Sequence, residues 1–319
     1  MKKDPPSEQL QPIINLYTQG QLQQALSESS QLLERFPNSV ILYNIAGACN
    51  AGLMQFDAAI ISYKQALKIN PEYAEAYFNM SVALKDKGDP EAAIESYKQA
   101  LKIKPDYAQA HNNMGNALKD KGDLEAAIQS YKQALKINPY YADAHNNMGN
   151  ALKDKGDLEA AISSYKQALK IKPDYAQAYN NMGSALNHNG DLEAAISSYK
   201  QALKIKPDYA EAYYNMGIAL KGKGDLNAAI SSYKQALKIK PDWAEGYSDL
   251  GAALLLLNQT EQALVNYEKA ISLKKDLNKA ISGLGKALLK KGEHSEGLDK
   301  LRQSDGSILF NIKSGLSIK

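Results

Sequence analysis

The chain predicts an all-α fold, a right-handed α-solenoid superhelix of stacked helix–turn–helix repeats. Three observations carry this. First, the sequence repeats every 34 residues: AEAYFNMSVALKDKGDPEAAIESYKQALKIKPDY from Ala74 is followed by AQAHNNMGNALKDKGDLEAAIQSYKQALKINPYY from Ala108, and the phrase restarts at Ala142, Ala176 and Ala210. A period of this size marks a stacked array rather than one globular core. Second, apolar residues inside each period recur at helical rather than strand spacing. Third, glycine, aspartate and proline stand at fixed offsets between the helical stretches, where helix ends require them.

Residues 1–39 read as a degenerate N-terminal repeat or cap that keeps Gly20, Ala25, Leu32 and Pro37. Pro12 lies inside its first helical segment, so that helix is expected to start late or bend. The array proper covers 40–277, with units starting at 40, 74, 108, 142, 176, 210 and 244. In the unit from Ala108, a first helix is expected over Ala108–Asp120, with His111, Met114, Gly115 and Leu118 on one face. Gly122 supplies the stop and Asp123 the N-cap of a second helix over Leu124–Ile137, which ends before Pro139. Pro90, in the unit from Ala74, takes the first helical position, where proline is tolerated. Asp106 with Gln109, Asp174 with Gln177, Asp208 with Glu211 and Asp242 with Glu245 resemble capping boxes for the first helices. Gly115, Ala127 and Ala134 with their copies let helices approach, and Tyr131 and its copies fill the remaining space. A hairpin this short cannot bury its apolar face alone, so neighbours must complete the core.

Residues 278–306 form a degenerate C-terminal repeat or cap, in which Gly297 and Leu301 replace Ala and Tyr and Asp305-Gly306 stops the second helix early. Residues 307–319 are a tail. Ile308, Phe310 and Ile312 alternate, Ser314-Gly315 follow, then Leu316 and Ile318 alternate. That pattern predicts a short hairpin, or the start of a further module.

Composition narrows the function. The 38 basic and 35 acidic residues give a net charge of +3, too balanced to argue for nucleic acid or an anionic membrane. Cys49 is the only cysteine, so no intrachain disulfide is possible. No secretory signal and no membrane span is evident, which predicts a cytoplasmic protein. No phosphate-binding loop, zinc-spaced cluster or nucleophile elbow stands in the chain, and neither metal nor cofactor is expected. His111 and His145 hold one repeat position in adjacent units, on the order of 10 Å apart, too far to share an ion. They read as packed aromatic substitutes. Recurrent lysines such as Lys132 and Lys136 suit the C-terminal end of the second helix.

The spacing of His145, Met148, Gly149, Leu152, Gly156, Ala161, Tyr165, Ala168 and Pro173 resembles the signature of the tetratricopeptide repeat family, and it recurs in register over nearly the whole chain. On a helical wheel the face opposite the core carries an asparagine row: Asn79, Asn113, Asn147, Asn181 and Asn215 at one position, Asn112, Asn146 and Asn180 beside them, and Asn116 and Asn150 one turn on. Asparagine is a poor helix former, so its placement costs stability. It also offers a donor and an acceptor on a short arm. The row resembles the asparagine ladder in the superhelical repeats of O-GlcNAc transferases, a resemblance that implies a concave groove gripping the backbone of an extended peptide. Duplication alone would also preserve the row, and that alternative stays open. The row breaks at Asp249 and Gly283. The family's clamp for acidic C-termini needs cations where Gln177 and Asn181 stand, so it is disfavoured.

The resulting expectation is a non-enzymatic adaptor that binds a protein or peptide in extended form, with no nucleic acid or membrane partner. Phe78, Tyr214, Lys85, Lys119, Lys153 and Asp86, Asp120, Asp154 would flank the row and bias selection. Two rivals are open: the substrate-recognition arm of a larger glycosyl- or sulfotransferase, and a structural protein that self-associates.

Overall fold

A computed structural model describes residues 4–305, 308–311 and 315–318. The helices alternate as pairs: α1 (Ser7–Thr18) and α2 (Leu22–Arg35), α3 (Val40–Gly52) and α4 (Phe56–Ile69), α5 (Ala74–Lys87) and α6 (Pro90–Ile103), α7 (Ala108–Asp120) and α8 (Leu124–Ile137). They continue with α9 (Ala142–Lys155) and α10 (Leu158–Ile171), α11 (Ala176–His188) and α12 (Leu192–Ile205), α13 (Ala210–Lys223) and α14 (Leu226–Ile239). The last pairs are α15 (Ala244–Leu256) with α16 (Thr260–Leu273), and α17 (Asn278–Lys291) with α18 (His294–Asp305). Strands β1 (Ile308–Asn311) and β2 (Gly315–Ile318) then pair antiparallel, Ile308 opposite Ile318, with β1 beside α18. Gly306, Ile312 and Ser314 lie outside the described residues. None of the described helices is long and apolar enough to cross a membrane.

The chain divides into two compact units, residues 1–160 and 161–319. In the first, α4, α6 and α8 each pack on the first helix of their own repeat and on that of the next, while α3, α5, α7 and α9 touch in succession. In the second, α12, α14 and α16 pack in the same double fashion, and α11 touches α13 and α15 touches α17. Each unit therefore has a layer of first helices and a layer of second helices.

The joints follow from local chemistry. Asp89, Asp123, Asp191 and Asp225 cap the second helices, each accepting from the backbone N–H three residues on. Gly88, Gly156, Gly224 and Gly292 end first helices in the left-handed region. The expected capping boxes of the first helices are not formed. Tyr73, Tyr107, Tyr141, Tyr175, Tyr209 and Trp243 occupy the N-cap without a side-chain cap bond. The turn between repeats places an aromatic ring there instead, and a lysine covers several of those rings, Lys104 Nζ lying 4.5 Å from the Tyr107 centroid. The first helix does not start late: α1 begins at Ser7 and runs through Pro12.

The core is a tyrosine–glycine stack. Tyr63, Tyr97, Tyr131, Tyr199 and Tyr233 are almost wholly buried. A Cβ added at Gly115 would stand 2.6 Å from Tyr131 Cε1, and one at Gly217 2.6 Å from Tyr233 Cε1. The ring thus lies on bare helix backbone. In the last repeat Leu301 replaces the tyrosine, and the helices close on each other at Gly285 and Gly297, where an added Cβ on either would meet the other's carbonyl at 2.9 Å.

Candidate functional site

The asparagines lie on the layer of first helices, and the structure separates them into two kinds. Counting from the start of each unit, the sixth residue is Asn79, Asn113, Asn147, Asn181 or Asn215, and all five are half-buried. The fifth residue is Asn112, Asn146 or Asn180, and all three are buried, Asn146 to 1% exposure. The sequence reading placed both sets on the outward face, and for the fifth position that is corrected here. A first helix is covered by its own second helix, by the second helix before it and by first helices on either side. Little more than one edge is left outward.

The two positions pair with each other from repeat to repeat. Asn79 Nδ2 donates to Asn44 Oδ1 at 3.1 Å, and Asn147 Nδ2 to Asn112 Oδ1 at 3.1 Å. In the second unit Asn215 Nδ2 donates to Asn180 Oδ1 at 3.0 Å. Each of these three sixth-position amides thus clasps the fifth-position residue one repeat earlier. Where the fifth residue is Phe78, no such bond is possible, and Asn113 Oδ1 accepts from Asn112 Nδ2 at 3.1 Å instead. Asn116 Oδ1 accepts from Tyr131 Oη at 2.8 Å, while Asn150, its counterpart, is half-buried.

The flanking residues also have internal partners. Phe78 packs on Tyr107 with centroids 4.8 Å apart, and Tyr214 on Trp243 at 4.4 Å. Lys85, Lys119 and Lys153 lie beside Asp86, Asp120 and Asp154 at 3.5, 3.7 and 3.7 Å. His111 and His145 place Nε2 on the carbonyls of Pro105 and Pro139, at 3.0 and 3.1 Å, joining one repeat's exit turn to the next helix. Cys49 is buried, which raises its thiol pKa to about 11.

Sequence reasoning missed one cluster. Asp249, at the sixth position and only 2% exposed, accepts from Tyr214 Oη at 2.7 Å, Lys279 Nζ at 2.8 Å and Lys221 Nζ at 3.3 Å. Burial alone would raise its carboxyl pKa. The Lys279 and Tyr214 hydrogen bonds and the two lysine charges outweigh that and hold it below the ordinary value. A signal was present: tyrosine takes the fifth position at 214, and aspartate replaces asparagine at the sixth position one repeat later. The clasp is kept with its chemistry exchanged.

Paired helices, the tyrosine–glycine joint and the aspartate caps define a helical-hairpin repeat protein with a polar inner seam. The chain belongs to the tetratricopeptide repeat family. The profile described as TPR repeat matches residues 55–88, 82–122, 115–156, 149–190, 183–224 and 219–258, and the one described as tetratricopeptide repeat matches 244–277. Over 76 residues the chain is 37% identical to the probable UDP-N-acetylglucosamine–peptide N-acetylglucosaminyltransferase SEC of Arabidopsis thaliana, a stretch that is 24% of this chain and 8% of that protein. Among solved structures, the APC/C hetero-tetramer Cut9–Hcn1 superposes with a TM-score of 0.62 over 88% of this chain and 55% of the other, at 16% identity, a likeness of fold alone. MamA is 30% identical, with a TM-score of 0.48 over 52% of this chain and 96% of its own.

Proposed function

We propose that this chain is a non-catalytic protein-interaction scaffold whose layer of first helices holds an extended peptide segment. The observation that carries this reading is the half-buried sixth-position row, Asn79, Asn113 and Asn147 in one unit and Asn181 and Asn215 in the other. A carboxamide has two N–H donors and an acceptor with two lone pairs. The single inter-repeat bond of Asn79, Asn147 or Asn215 leaves capacity for a peptide N–H or C=O. Adjacent helices stand about 10 Å apart, and three residues of extended chain span about 10 Å. One amide would meet the peptide backbone every third residue and ignore the side chains between. The fifth-position amides Asn112, Asn146 and Asn180 are buried behind the row and do not touch the ligand. Phe78 and Tyr214 shape its edges, and Lys119 and Lys153 tune its charge. The near-neutral charge favours a protein partner over nucleic acid, in a cytoplasmic setting.

The test compares the two positions. Peptides selected from a random extended library on the intact chain are titrated against Asn147→Ala and Asn112→Ala. Asn147→Ala is expected to weaken binding roughly tenfold, and Asn112→Ala to leave affinity nearly unchanged. Selected peptides that bind both variants as tightly as the parent would overturn the row as the site.

The identity shared with an N-acetylglucosaminyltransferase favours a second reading, in which the array is the substrate-recognition arm of a larger transferase. A transcript that continues past Lys319 into a catalytic domain would establish that arrangement.

A further inference from the structure

The amide seam ends in the second unit, and the hollow left there has a chemistry of its own. Along that unit the sixth position reads Asn181, Asn215, Asp249, Gly283. The fifth-position residue one repeat before Gly283 is Ser248, whose buried Oγ has no hydrogen-bond partner among the described residues. A Cβ added at Gly283 would come within 2.3 Å of Tyr267 Cε1, so no side chain can stand there with the ring in place. Between α15 and α17 this leaves an open hollow of about 740 Å³, within the ~300–1,000 Å³ range of ligand sites.

The hollow is lined by apolar and cationic side chains. Leu255, Leu256 and Tyr267 line it together with Gly283, and Leu256 is 62% exposed. Lys279, Lys286 and Lys290 also line it, and no carboxylate does. Lys279 is paired with Asp249, a carboxylate it shares with Lys221. Lys290 donates to neutral oxygens only, the Leu255 carbonyl at 3.2 Å and the Asn258 side chain. Lys286 is exposed and has no carboxylate within ion-pair distance among the described residues. Two positive charges therefore stand uncompensated beside an uncovered apolar surface.

We propose that this hollow anchors a peptide that carries a bulky apolar side chain next to acidic residues. The apolar side chain would cover Leu256 and the half-buried Leu255 beside the buried Tyr267 ring, removing exposed apolar area from water. The carboxylates would meet Lys286 and Lys290, the charges that lack counterparts. The inference deepens the scaffold reading and rests on it, since the anchor would fix the polarity and register of a chain that the amides hold without regard to sequence.

The experiment is fluorescence anisotropy with three fluorescein-labelled octapeptides on the full chain: Gly-Ser-Gly-Phe-Glu-Glu-Gly-Ser, its Phe-Lys-Lys counterpart and its Ala-Glu-Glu counterpart. Phe-Glu-Glu is expected to bind at least roughly tenfold more tightly than the other two. Lys286→Glu and Leu256→Gln change exposed side chains and should leave the fold intact. Lys286→Glu is expected to weaken Phe-Glu-Glu and strengthen Phe-Lys-Lys, and Leu256→Gln to weaken Phe-Glu-Glu. Equal affinity for the three peptides, no binding of Phe-Glu-Glu, or indifference to Lys286→Glu overturns the anchor. Asn215→Ala separates it from the wider reading. Phe-Glu-Glu binding that responds to Lys286→Glu but not to Asn215→Ala supports the anchor and counts against the row. The reverse sinks the anchor and spares the row.

Discussion

At the scale of single residues, the asparagines act first on their own protein. The net worth of one such amide bond is about 1 kcal/mol, but a buried group left unpaired costs about 1–3 kcal/mol. The two ends of the Asn147–Asn112 bond differ in this respect, because Asn112 is 4% exposed and Asn147 is half-buried. Asn147→Ala strands a buried carbonyl, so it is expected to destabilise by about 2 kcal/mol, read as a lower urea midpoint at unchanged slope. Asp249 makes the same seam sensitive to pH. Its folded pKa lies below the unfolded one, so its stabilisation is fully present above the ordinary carboxylate range and is lost as pH falls through the folded value. Asp249→Ala is expected to cost about 2 kcal/mol at neutral pH, the scale of hydrogen bonds to a charged group. Denaturation curves of the two proteins should converge in acid, and a constant difference down to the lowest accessible pH would contradict this account of Asp249.

At the scale of helices, the decisive contact is a flat ring on a bare backbone. Gly115→Ala puts a methyl 2.6 Å from Tyr131 Cε1, and overpacking of this kind costs about 1–3 kcal/mol. Thermal unfolding of Gly115→Ala should show that loss, and pairing it with Tyr131→Leu should recover part of it, since the last repeat already joins its helices around Leu301. Much of this was legible in the sequence. Asp123 and Pro90 announce the second helices because caps act through bonds within three residues, and they sit as expected. Asp106 and Gln109 have the spacing of a capping box, yet the backbone turn puts Tyr107 at the N-cap. Spacing reports which side chains could meet, and only the turn's dihedrals decide whether they do. The misplacement of Asn112, Asn146 and Asn180 has a similar origin. A wheel assigns one covered face, whereas a first helix in a stack is covered on several sides, and one of those contacts is amide to amide. The partners of Asp249 come from the repeats on either side of its own, Tyr214 and Lys221 from α13 and Lys279 from α17, a conjunction no local window contains.

At the scale of the whole molecule, near-identical repeats make most joints interchangeable, and the seam chemistry identifies the joint that is not. Deleting 108–141 joins Tyr107 to Ala142, which reproduces the junction of Tyr107 with Ala108. The helices that then meet are copies of those that met before. In an array governed by nearest-neighbour terms, such a deletion removes one repeat's intrinsic and interface energies and leaves the rest unchanged. The shortened chain should fold, unfold cooperatively, and show a smaller denaturant slope because less surface is exposed on unfolding. Deleting 244–277 removes the same number of residues with a different outcome. Tyr214 loses its acceptor Asp249, and Gly283 follows in place of a polar partner, so a hydroxyl held at 2.7 Å is left with nothing to donate to. That unmet group adds about 1–3 kcal/mol to the loss. The second deletion should therefore have the lower urea midpoint and the earlier loss of helical circular dichroism on heating. Restoring an acceptor by Gly283→Asp in the second deletion should recover part of the difference. Equal midpoints for the two deletions would mean that the seam contributes nothing beyond the tyrosine–glycine joints, and the exchange of asparagine for aspartate at position 249 would then have no energetic basis.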